Sequence, residues 1–390
     1  MKENTVRLTA EGFTTKADWT SVVWKLQGLG LEDFRLSHSV PEHDQDLLGE
    51  PHRGDHALCA TLLKAMEQGH RIQVEGRVSP TLLEGLEDLQ AIWHRWRPDR
   101  YRPIEIAAEE ESEAAPVAGE RPAVFAFSGG VDASYSLFRH LKGQAGRANR
   151  KPGAAVLVHG MDIPLDREDF YDRAAARAQR MLDGTPVRLI RMRTNSRALG
   201  QDWEDGFGLQ LIGCFLLLQA TFANAVKGSE EPYDALMLPW GSTPLTDPLC
   251  STATMAIRHD GCDAGRTEKV RWLATQTQVV EHLRVCWEGS ELDRNCGECE
   301  KCIRTMLNFW ATNLPIPSAF PTELTPERVA SIRIRNPVQL SYLVEILRFA
   351  EHHHPKGDPI LRAVQRRLGY IGPKAFVRRA VRRTVDYLKI

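Results

Sequence analysis

The middle of the chain alternates short apolar runs with longer helical patterns, and this alternation constrains the fold most. The apolar runs have the length of buried strands and cover residues 123–127, 154–159, 187–192 and 235–238. Between them, amphipathic or apolar patterns predict a helix ending near Leu141 and helices over residues 167–182 and 208–226. Strands that alternate with helices form parallel sheets through right-handed crossovers. We therefore expect an α/β fold with a doubly wound parallel sheet.

The domain organisation follows from the length and from one acidic segment. A chain of 390 residues exceeds one ordinary domain. Residues 107–121 hold five glutamates and lack apolar periodicity, which predicts a linker without regular structure. This acidic linker would separate a small N-terminal α/β domain, residues 1–106, from the main domain, residues 122–315. Residues 316–390 are predicted to be a helical C-terminal region that ends in a basic tail.

Composition excludes several classes of protein. The chain is 42% hydrophobic and 26% charged, which is typical of globular proteins and not of disordered ones. Its 50 basic and 51 acidic residues leave a net charge of −1, so no overall field attracts a polyanion. The start of the sequence lacks the apolar core of a signal peptide. Residues 209–226 are interrupted by polar side chains and predict a buried helix rather than a membrane span. We expect a soluble, cytoplasmic protein.

A glycine-containing loop follows the first strand of the main domain. Ligands of doubly wound sheets bind beyond the carboxyl ends of the strands, where this loop lies. Two adjacent glycines permit a tight turn, and the next helix directs its N–H groups and positive dipole end at the turn, which favours phosphate. The candidate binding residues are Ser128, Gly129, Gly130, Val131, Asp132 and Ser134. The carboxylate of Asp132 suits a magnesium ion. A tight strand-to-helix turn without a ligand is the alternative interpretation.

Four of the eight cysteines lie within seventeen residues, at Cys286, Cys296, Cys299 and Cys302. The last three recur every third residue, so one turn can gather three sulfurs, and Cys286 can complete a tetrahedron. Zinc favours four thiolates, and such a filled site is structural because no position is left for water. We therefore predict a zinc knuckle. An iron–sulfur cluster, a redox pair and unrelated thiols are the alternatives.

The loop also carries a resemblance to a known family. The pattern S-G-G-x-D, followed by a small hydroxyl residue, resembles the PP-loop ATP pyrophosphatases, which share the adenine nucleotide alpha hydrolase-like fold. This resemblance implies that Ser128, Gly129, Gly130 and Asp132 bind the pyrophosphate end of ATP, which is cleaved between its α and β phosphates. The family has serine directly after the aspartate, whereas this chain has Ala133. No lysine follows the glycines, so the loop is not a Walker A motif.

The pattern C-G-x-C-x-x-C narrows the resemblance to the 7-cyano-7-deazaguanine synthase group. Residues 240–248 resemble the substrate-side loop of that group, which implies site positions for Gly241 and Asp247. Residues 266–270 resemble one of its helix starts, which implies catalytic roles for Arg266 and Lys269. The resemblance covers residues 123–314, about half of the chain. The first hundred residues and the basic tail have no counterpart in it.

These observations lead to one functional hypothesis and two alternatives. We expect an ATP-dependent ligase or amidotransferase that adenylates a carboxylate or amide and releases AMP and pyrophosphate. Asp132, Lys269 and Arg266 would be catalytic. Lys269, Arg266, Arg193 and His159 would offset charge around the adenylate, and an ordinary surface or helix position is the alternative for each. The first alternative is a tRNA-modifying or sulfur-transfer enzyme, for which Cys250 is the candidate thiol. The second is a non-catalytic nucleotide-binding subunit, for which Ala133 is the indication.

The sequence leaves the partners open. The acceptor is either a small molecule or a macromolecule, and a homodimer is an open alternative. Residues 361–390 contain nine basic residues and one acidic residue. This basic C-terminal helix predicts an acidic partner, and a solvated basic surface is the alternative.

Overall fold

The computed structural model describes residues 4–371, and a sheet of ten strands organises most of them. The strands are β1 (Thr5–Lys16), β2 (Trp19–Gln27), β3 (Phe34–Pro41), β4 (Arg71–Val78), β5 (Ile106–Glu111), β6 (Ala123–Ala126), β7 (Pro152–His159), β8 (Arg188–Thr194), β9 (Asn224–Gly228) and β10 (Ala256–Asp260). Their order across the sheet is β10-β9-β6-β7-β8-β3-β2-β1-β4-β5.

Eleven α-helices surround or follow the strands in the described residues. They are α1 (Asp55–Gln68), α2 (Pro80–Trp96), α3 (Val131–Leu141), α4 (Glu168–Leu182), α5 (Trp203–Leu216), α6 (Arg266–Leu273), α7 (Thr277–Val280), α8 (Glu300–Ala311), α9 (Pro326–Ser331), α10 (Pro337–His353) and α11 (Pro359–Ile371). The predicted helix ending at Leu141 and the predicted helix over residues 167–182 correspond to α3 and α4. Both predictions are confirmed.

The sheet is mostly parallel, as expected for an α/β protein. Strands β10, β9, β6, β7 and β8 pair in parallel, and β1, β4 and β5 form a second parallel group. Antiparallel pairing through β2 and β3 joins the two groups. At the junction, His38 of β3 pairs with Thr194 of β8. The general class is confirmed, and the adenine nucleotide alpha hydrolase-like assignment stays a prediction.

The chain divides into two compact units. Unit 1 comprises Met1–Ser229 and Leu238–Cys262, and unit 2 comprises Glu230–Met237 and Asp263–Ile390. All ten strands belong to unit 1, so the first hundred residues share one sheet with the glycine loop. One buried apolar cluster includes Trp24 of β2, Leu58 of α1, Val124 of β6 and Phe215 of α5. The N-terminal region therefore completes the core of unit 1.

The acidic linker is the first correction. Residues 106–111 form β5, which pairs in parallel with β4, so the first part of the predicted linker is regular structure. Its glutamates are exposed at the edge of the sheet, where charge discourages pairing with other strands. Farther along, the Glu113 carboxylate accepts hydrogen bonds from the Ser79 hydroxyl at 2.7 Å and the Thr81 N–H at 3.1 Å. The acidic composition of residues 107–111 predicted a linker, although these residues form an edge strand.

The second correction concerns the long helix predicted over residues 208–226 and the strand predicted over residues 235–238. Helix α5 ends at Leu216, and the fourth strand of the parallel group is β9. The turn between them is apolar, so periodicity did not reveal it. Arg121 stabilises this turn, because its guanidinium donates to the carbonyls of Gln219, Ala220 and Phe222. Residues 233–235 form a short 3₁₀ turn instead of a strand.

Other predicted elements are confirmed. The predicted strands at residues 123–127, 154–159 and 187–192 correspond to β6, β7 and β8. In the N-terminal region, the Ser79 hydroxyl caps α2 by accepting from the Leu82 N–H at 3.2 Å. Among residues 4–371, the helices are all too short or too polar to cross a membrane. The basic residues of the predicted C-terminal helix from Lys374 onward lie outside the described residues.

Candidate functional site

The glycine loop leaves the carboxyl end of β6 and leads directly into α3. The Phe127 N–H still bonds to the Val156 carbonyl of β7 at 2.9 Å, so the loop begins at Ser128. Gly129 has a φ of +76°, in the left-handed region that glycine adopts without strain. The Gly130 N–H donates to the Ser128 hydroxyl at 3.3 Å. The predicted turn therefore has the expected local conformation.

The first turn of α3 faces the loop with groups that suit an anion. The first hydrogen bond of the helix runs from the Ser134 N–H to the Gly130 carbonyl at 3.0 Å, so the N–H groups of residues 131–133 precede the helical ladder. Ser134 is fully buried, and its hydroxyl has no hydrogen-bond partner in the described part of the chain. Asp132 is half-buried and also belongs to this turn. The predicted residues 128–134 thus form one continuous strand-to-helix turn.

Gly228 explains how closely the neighbouring strand approaches this turn. Strand β9 lies beside β6 in the sheet, with Val226 opposite Phe125. A Cβ atom on Gly228 would lie 2.4 Å from the Asp132 carbonyl oxygen. Only glycine fits at the end of β9, because a contact that short requires the backbone to move. This contact was not predicted, because β9 lies in an apolar run that was interpreted as the end of a helix.

Asp260 attaches α3 to the end of β10. Its carboxylate accepts hydrogen bonds from the Ser136 hydroxyl at 2.6 Å and from the Arg139 guanidinium at 2.8 Å, and it lies 3.2 Å from Nε2 of His140. Burial raises the pKa of Asp260, but the hydrogen bonds from His140 and Ser136 and the charge of Arg139 lower it to about 2. The carboxylate is therefore ionised at neutral pH and holds the helix in position.

A buried polar chain extends from the ends of β9 and β10. The Lys227 ammonium donates to the Ser242 hydroxyl at 2.5 Å, and that hydroxyl donates to Oδ2 of Asp247 at 2.6 Å. Nδ1 of His259 donates to the same Oδ2 at 2.7 Å. Asp247 is a predicted binding residue, and its carboxylate contacts Ser242 and His259. Lys227 and His259 were not predicted, because neither β9 nor β10 was recognised as a strand.

The opposite charges of Asp247 and His259 determine the protonation of these two hydrogen-bonded side chains. Burial raises the pKa of Asp247, but the hydrogen bond and charge of His259 lower it below its usual value. Burial lowers the pKa of His259, but the hydrogen bonds to Asp247 and Cys262 raise it above its usual value. Each partner therefore favours the charged form of the other, which is the expected behaviour of a buried ion pair.

Gly241 and His159, two other predicted binding residues, make well-defined contacts with the protein. A Cβ atom on Gly241 would lie 2.5 Å from the Glu204 carbonyl oxygen, so this glycine lets its loop pack on α5. His159 bonds through Nε2 to the Pro164 carbonyl at 2.7 Å and stacks on Tyr171. Burial lowers the pKa of His159, so the imidazole is neutral at pH 7. These contacts favour structural roles for both residues.

Arg266 and Lys269, two of the predicted catalytic residues, lie on α6 in unit 2. Both are buried. The Thr267 N–H in the same helix donates to the Glu345 carboxylate of α10 at 2.8 Å. Asp132 belongs to unit 1, so the predicted catalytic set comes from both units. Its assembly into one site stays a prediction.

The four clustered cysteines form a candidate metal centre in unit 2. Their sulfur atoms all lie within 4.8 Å of one another, with 3.7 Å between Cys286 and Cys299 and 3.8 Å between Cys296 and Cys302. Four thiolates around zinc at about 2.3 Å would lie about 3.8 Å apart in a regular tetrahedron. Disulfide bonds are much shorter, at about 2.05 Å. The donor set and the spacing therefore fit a zinc ion.

Backbone N–H groups surround these sulfurs. The Cys299 N–H donates to Sγ of Cys296 at 3.2 Å, and the Cys302 N–H donates to Sγ of Cys299 at 3.4 Å. Gly297 has a φ of +74°, which allows the turn between two ligands. Such N–H groups stabilise thiolate charge and orient the ligands. The backbone of the turn therefore supports metal binding by donating hydrogen bonds to the sulfur atoms, in addition to the cysteine ligands themselves.

Asn295 connects Cys286 to the other three ligands, and sequence reasoning missed it. Its Oδ1 accepts from the N–H groups of Val285 and Cys286 at 2.8 Å and 3.3 Å. Its Nδ2 donates to the carbonyls of Leu283 and Ala319 at 2.9 Å and 3.0 Å. Asn295 is buried and directly precedes Cys296. A polar residue beside a ligand was the only signal in the sequence.

No family model, no curated protein and no solved structure matches this chain.

Proposed function

We propose that the chain is an ATP-dependent, AMP-forming ligase or amidotransferase whose glycine loop binds the phosphates of ATP. One observation carries this proposal: a left-handed glycine turn joins the carboxyl end of a parallel strand to the N-terminus of α3. Helix N-termini at such turns bind phosphate through N–H groups and the helix dipole. The buried Ser134 hydroxyl, which has no partner in the described residues, adds a donor in the same turn.

Each residue of the loop has a defined task in this proposal. Gly129 allows the turn, and the first turn of α3 binds phosphate oxygens. Asp132 is half-buried and carries a carboxylate, the type of ligand that magnesium prefers. Magnesium, when bound there, offsets the charge of the phosphates. The loop holds the nucleotide through its phosphate chain and leaves the α-phosphorus open to an acceptor.

The proposed reaction has two steps. A carboxylate or amide oxygen of the acceptor attacks the α-phosphorus, and the bond to pyrophosphate breaks. Ammonia or an amine then attacks the activated carbon, and AMP leaves. The protein contributes orientation and electrostatic stabilisation to both steps. Arg266 and Lys269 are proposed to offset negative charge at this stage.

The cysteine cluster has a structural role in this proposal. Four thiolates fill the tetrahedral coordination of zinc, so no position remains for water or substrate. The four side chains come from residues 286–302, and zinc would join the start of α8 to the preceding segment. We therefore propose that zinc stabilises unit 2 and takes no part in the chemistry.

The buried environment of Cys250 argues against the sulfur-transfer alternative. Its side chain is fully buried, and the neighbouring Cys59 thiol and burial raise the pKa of Cys250 well above its usual value. A thiol that stays protonated and inaccessible is a poor nucleophile. The second alternative, a nucleotide-binding subunit without activity, predicts that ATP binds and no AMP or pyrophosphate forms.

Product analysis tests the proposed function. The wild-type protein is incubated with Mg²⁺, ammonia, a panel of carboxylic acids and ATP labelled at the α-phosphate. We expect labelled AMP and equimolar pyrophosphate. Asp132→Asn should abolish turnover, whereas Asp169→Asn should not, because Asp169 lies in the first turn of α4 and is exposed. ADP as the product would contradict the proposal, and bound but unreacted ATP would favour the non-catalytic alternative.

A further inference from the structure

Lys227 is a buried cation that the loop hypothesis does not use. It is the penultimate residue of β9 and is 7% exposed. Its ammonium group carries three protons, and its hydrogen-bond partner is the neutral hydroxyl of Ser242. It also lies 5.1 Å from the centre of the Phe207 ring, a weaker electrostatic contact. Buried charges are normally paired directly, so an ammonium held by a hydroxyl is unusual.

The hydrogen-bonded network of Lys227 holds two basic side chains and one carboxylate. Asp247 is the carboxylate of the chain, and it accepts from Ser242 and from His259 through the same oxygen, Oδ2. Two basic side chains therefore share one carboxylate within a buried cluster. Such a cluster binds an anion favourably, because the anion compensates the excess charge where water does not.

The position of Lys227 selects the anion. The next residue, Gly228, packs against the Asp132 carbonyl in the first turn of α3. Lys227 is therefore adjacent in sequence to the point where β9 meets the proposed phosphate loop. Both lie at the carboxyl ends of neighbouring parallel strands, β9 and β6. The Lys227 side chain leaves the face of β9 opposite to Gly228, at the carboxyl edge of the sheet where the ligands of such sheets bind.

We propose that Lys227 binds the phosphate chain of ATP, and that Ser242, Asp247 and His259 are positioning residues that hold its ammonium group in place. This inference rests on the proposed function and adds a residue to the nucleotide site. The binding energy comes from a charge-assisted hydrogen bond between Nζ and a phosphate oxygen. Ser242 orients the ammonium, and the Asp247–His259 pair orients Ser242.

Calorimetric titration of the full chain tests this inference with Mg-ATP, pyrophosphate and adenosine as probes. Lys227→Met should weaken binding of ATP and pyrophosphate at least about tenfold, as expected for one charge-assisted hydrogen bond. Adenosine, which has no phosphate, should bind both proteins equally. Lys227→Arg keeps the charge and should stay within about threefold of the wild type. Lys151→Met, at an exposed lysine, is the matched control.

The positioning residues are tested by conservative rescue. His259→Leu should weaken ATP binding, whereas His259→Asn, whose amide can replace the Nδ1–H donor, should restore most of it. Unfolding temperatures of all variants separate a loss of fold from a loss of charge. Equal ATP affinity of folded Lys227→Met and wild type would overturn this inference alone. A wild type that binds neither ATP nor pyrophosphate would overturn both this inference and the proposed function.

Discussion

The glycine loop of unit 1 and the cysteine cluster of unit 2 are two different kinds of site. In the cluster, four side chains of one chemical type lie at the separations that one metal requires. The loop instead offers backbone geometry: a left-handed glycine, a helix N-terminus and one buried hydroxyl. Four cysteine side chains at these separations indicate a metal ion as the ligand. A backbone turn indicates only the shape and the charge of a ligand.

This difference determines how much each site depends on distant residues. The cysteines lie within seventeen residues, and their turn is formed locally. The loop acquires its surroundings from Gly228 and Asp260, at the ends of strands that follow about a hundred residues later. Changes to the cluster should therefore affect metal content and unit 2 directly. Substitutions around the loop should act indirectly, because they change how the ends of β9 and β10 pack against α3.

The largest expected effect is the loss of the metal. The wild type should contain one zinc ion per chain, and Cys299→Ser should lose it and unfold unit 2 at a lower temperature. Structural zinc contributes roughly 10 kcal/mol or more of binding free energy in small zinc-binding peptides. Elemental analysis and thermal unfolding measure both effects. Cys214→Ala, at a buried cysteine of α5 outside the cluster, should keep its zinc. Iron, or no metal, in the wild type would refute the zinc assignment.

A smaller effect is expected from the residue that connects the ligands. Asn295→Ala removes a side chain that bonds four backbone groups. Buried groups left without partners should lower the free energy of unfolding by about 3 kcal/mol or more and weaken zinc retention. Asn295→Asp keeps Oδ1 but places a charged acceptor against the Leu283 and Ala319 carbonyls, so it should retain zinc no better than Asn295→Ala. Chelator competition at equilibrium measures retention, and unchanged retention in Asn295→Ala would show that the cysteines alone position the metal.

In unit 1 the corresponding test is a close backbone contact. Gly228→Ala should lower stability by about 2 kcal/mol, because the new methyl group would overlap the Asp132 carbonyl. It should also weaken ATP binding by displacing the first turn of α3. Gly369→Ala, at an exposed helical glycine with open space around it, should instead stabilise by about 0.5–1 kcal/mol. Denaturant unfolding compares the two, and a neutral Gly228→Ala would contradict the proposed close fit.

The smallest expected effect is a pH dependence in the core of unit 1. Burial lowers the pKa of His38 to about 3, and neither ring nitrogen has a hydrogen-bond partner in the described residues. Below pH 6.5 the unfolded chain gains a proton that the folded chain does not, so stability falls as pH falls. Between pH 7.5 and 5.5 this group should cost about 1.4 kcal/mol. His38→Leu should reduce the pH-dependent loss by that amount; an identical loss in both proteins would exclude His38 as a source.

Sequence reasoning succeeded where the signal was local. The turn at Ser128–Gly130, helices α3 and α4, and the cysteine cluster each depend on residues close together in the sequence. The mostly parallel sheet followed from the alternation of apolar runs and helices. These features need no knowledge of what packs against them.

Sequence reasoning failed where distant residues decide the structure. The acidic β5 is a strand because β4 offers it an edge, and its composition alone predicts disorder. Strand β9 was indistinguishable from the end of a helix, since an apolar run has no periodicity to identify it. With β9 and β10 unrecognised, Lys227 and His259 could not be placed at the carboxyl ends of strands of the sheet. The hydrogen-bonded role of Asn295 likewise depends on a turn formed by residues on both sides of it.

A crystal structure with Mg²⁺ and α,β-methylene-ATP, which resists cleavage between the α and β phosphates, shows whether the loop binds the phosphates of a nucleotide. We expect phosphate oxygens within hydrogen-bond distance of the first turn of α3 and of the Lys227 ammonium. Asp132 should lie on the magnesium side of the phosphates. A nucleotide bound elsewhere, or a phosphate chain directed away from the Ser128–Gly130 turn, would refute the proposed nucleotide site.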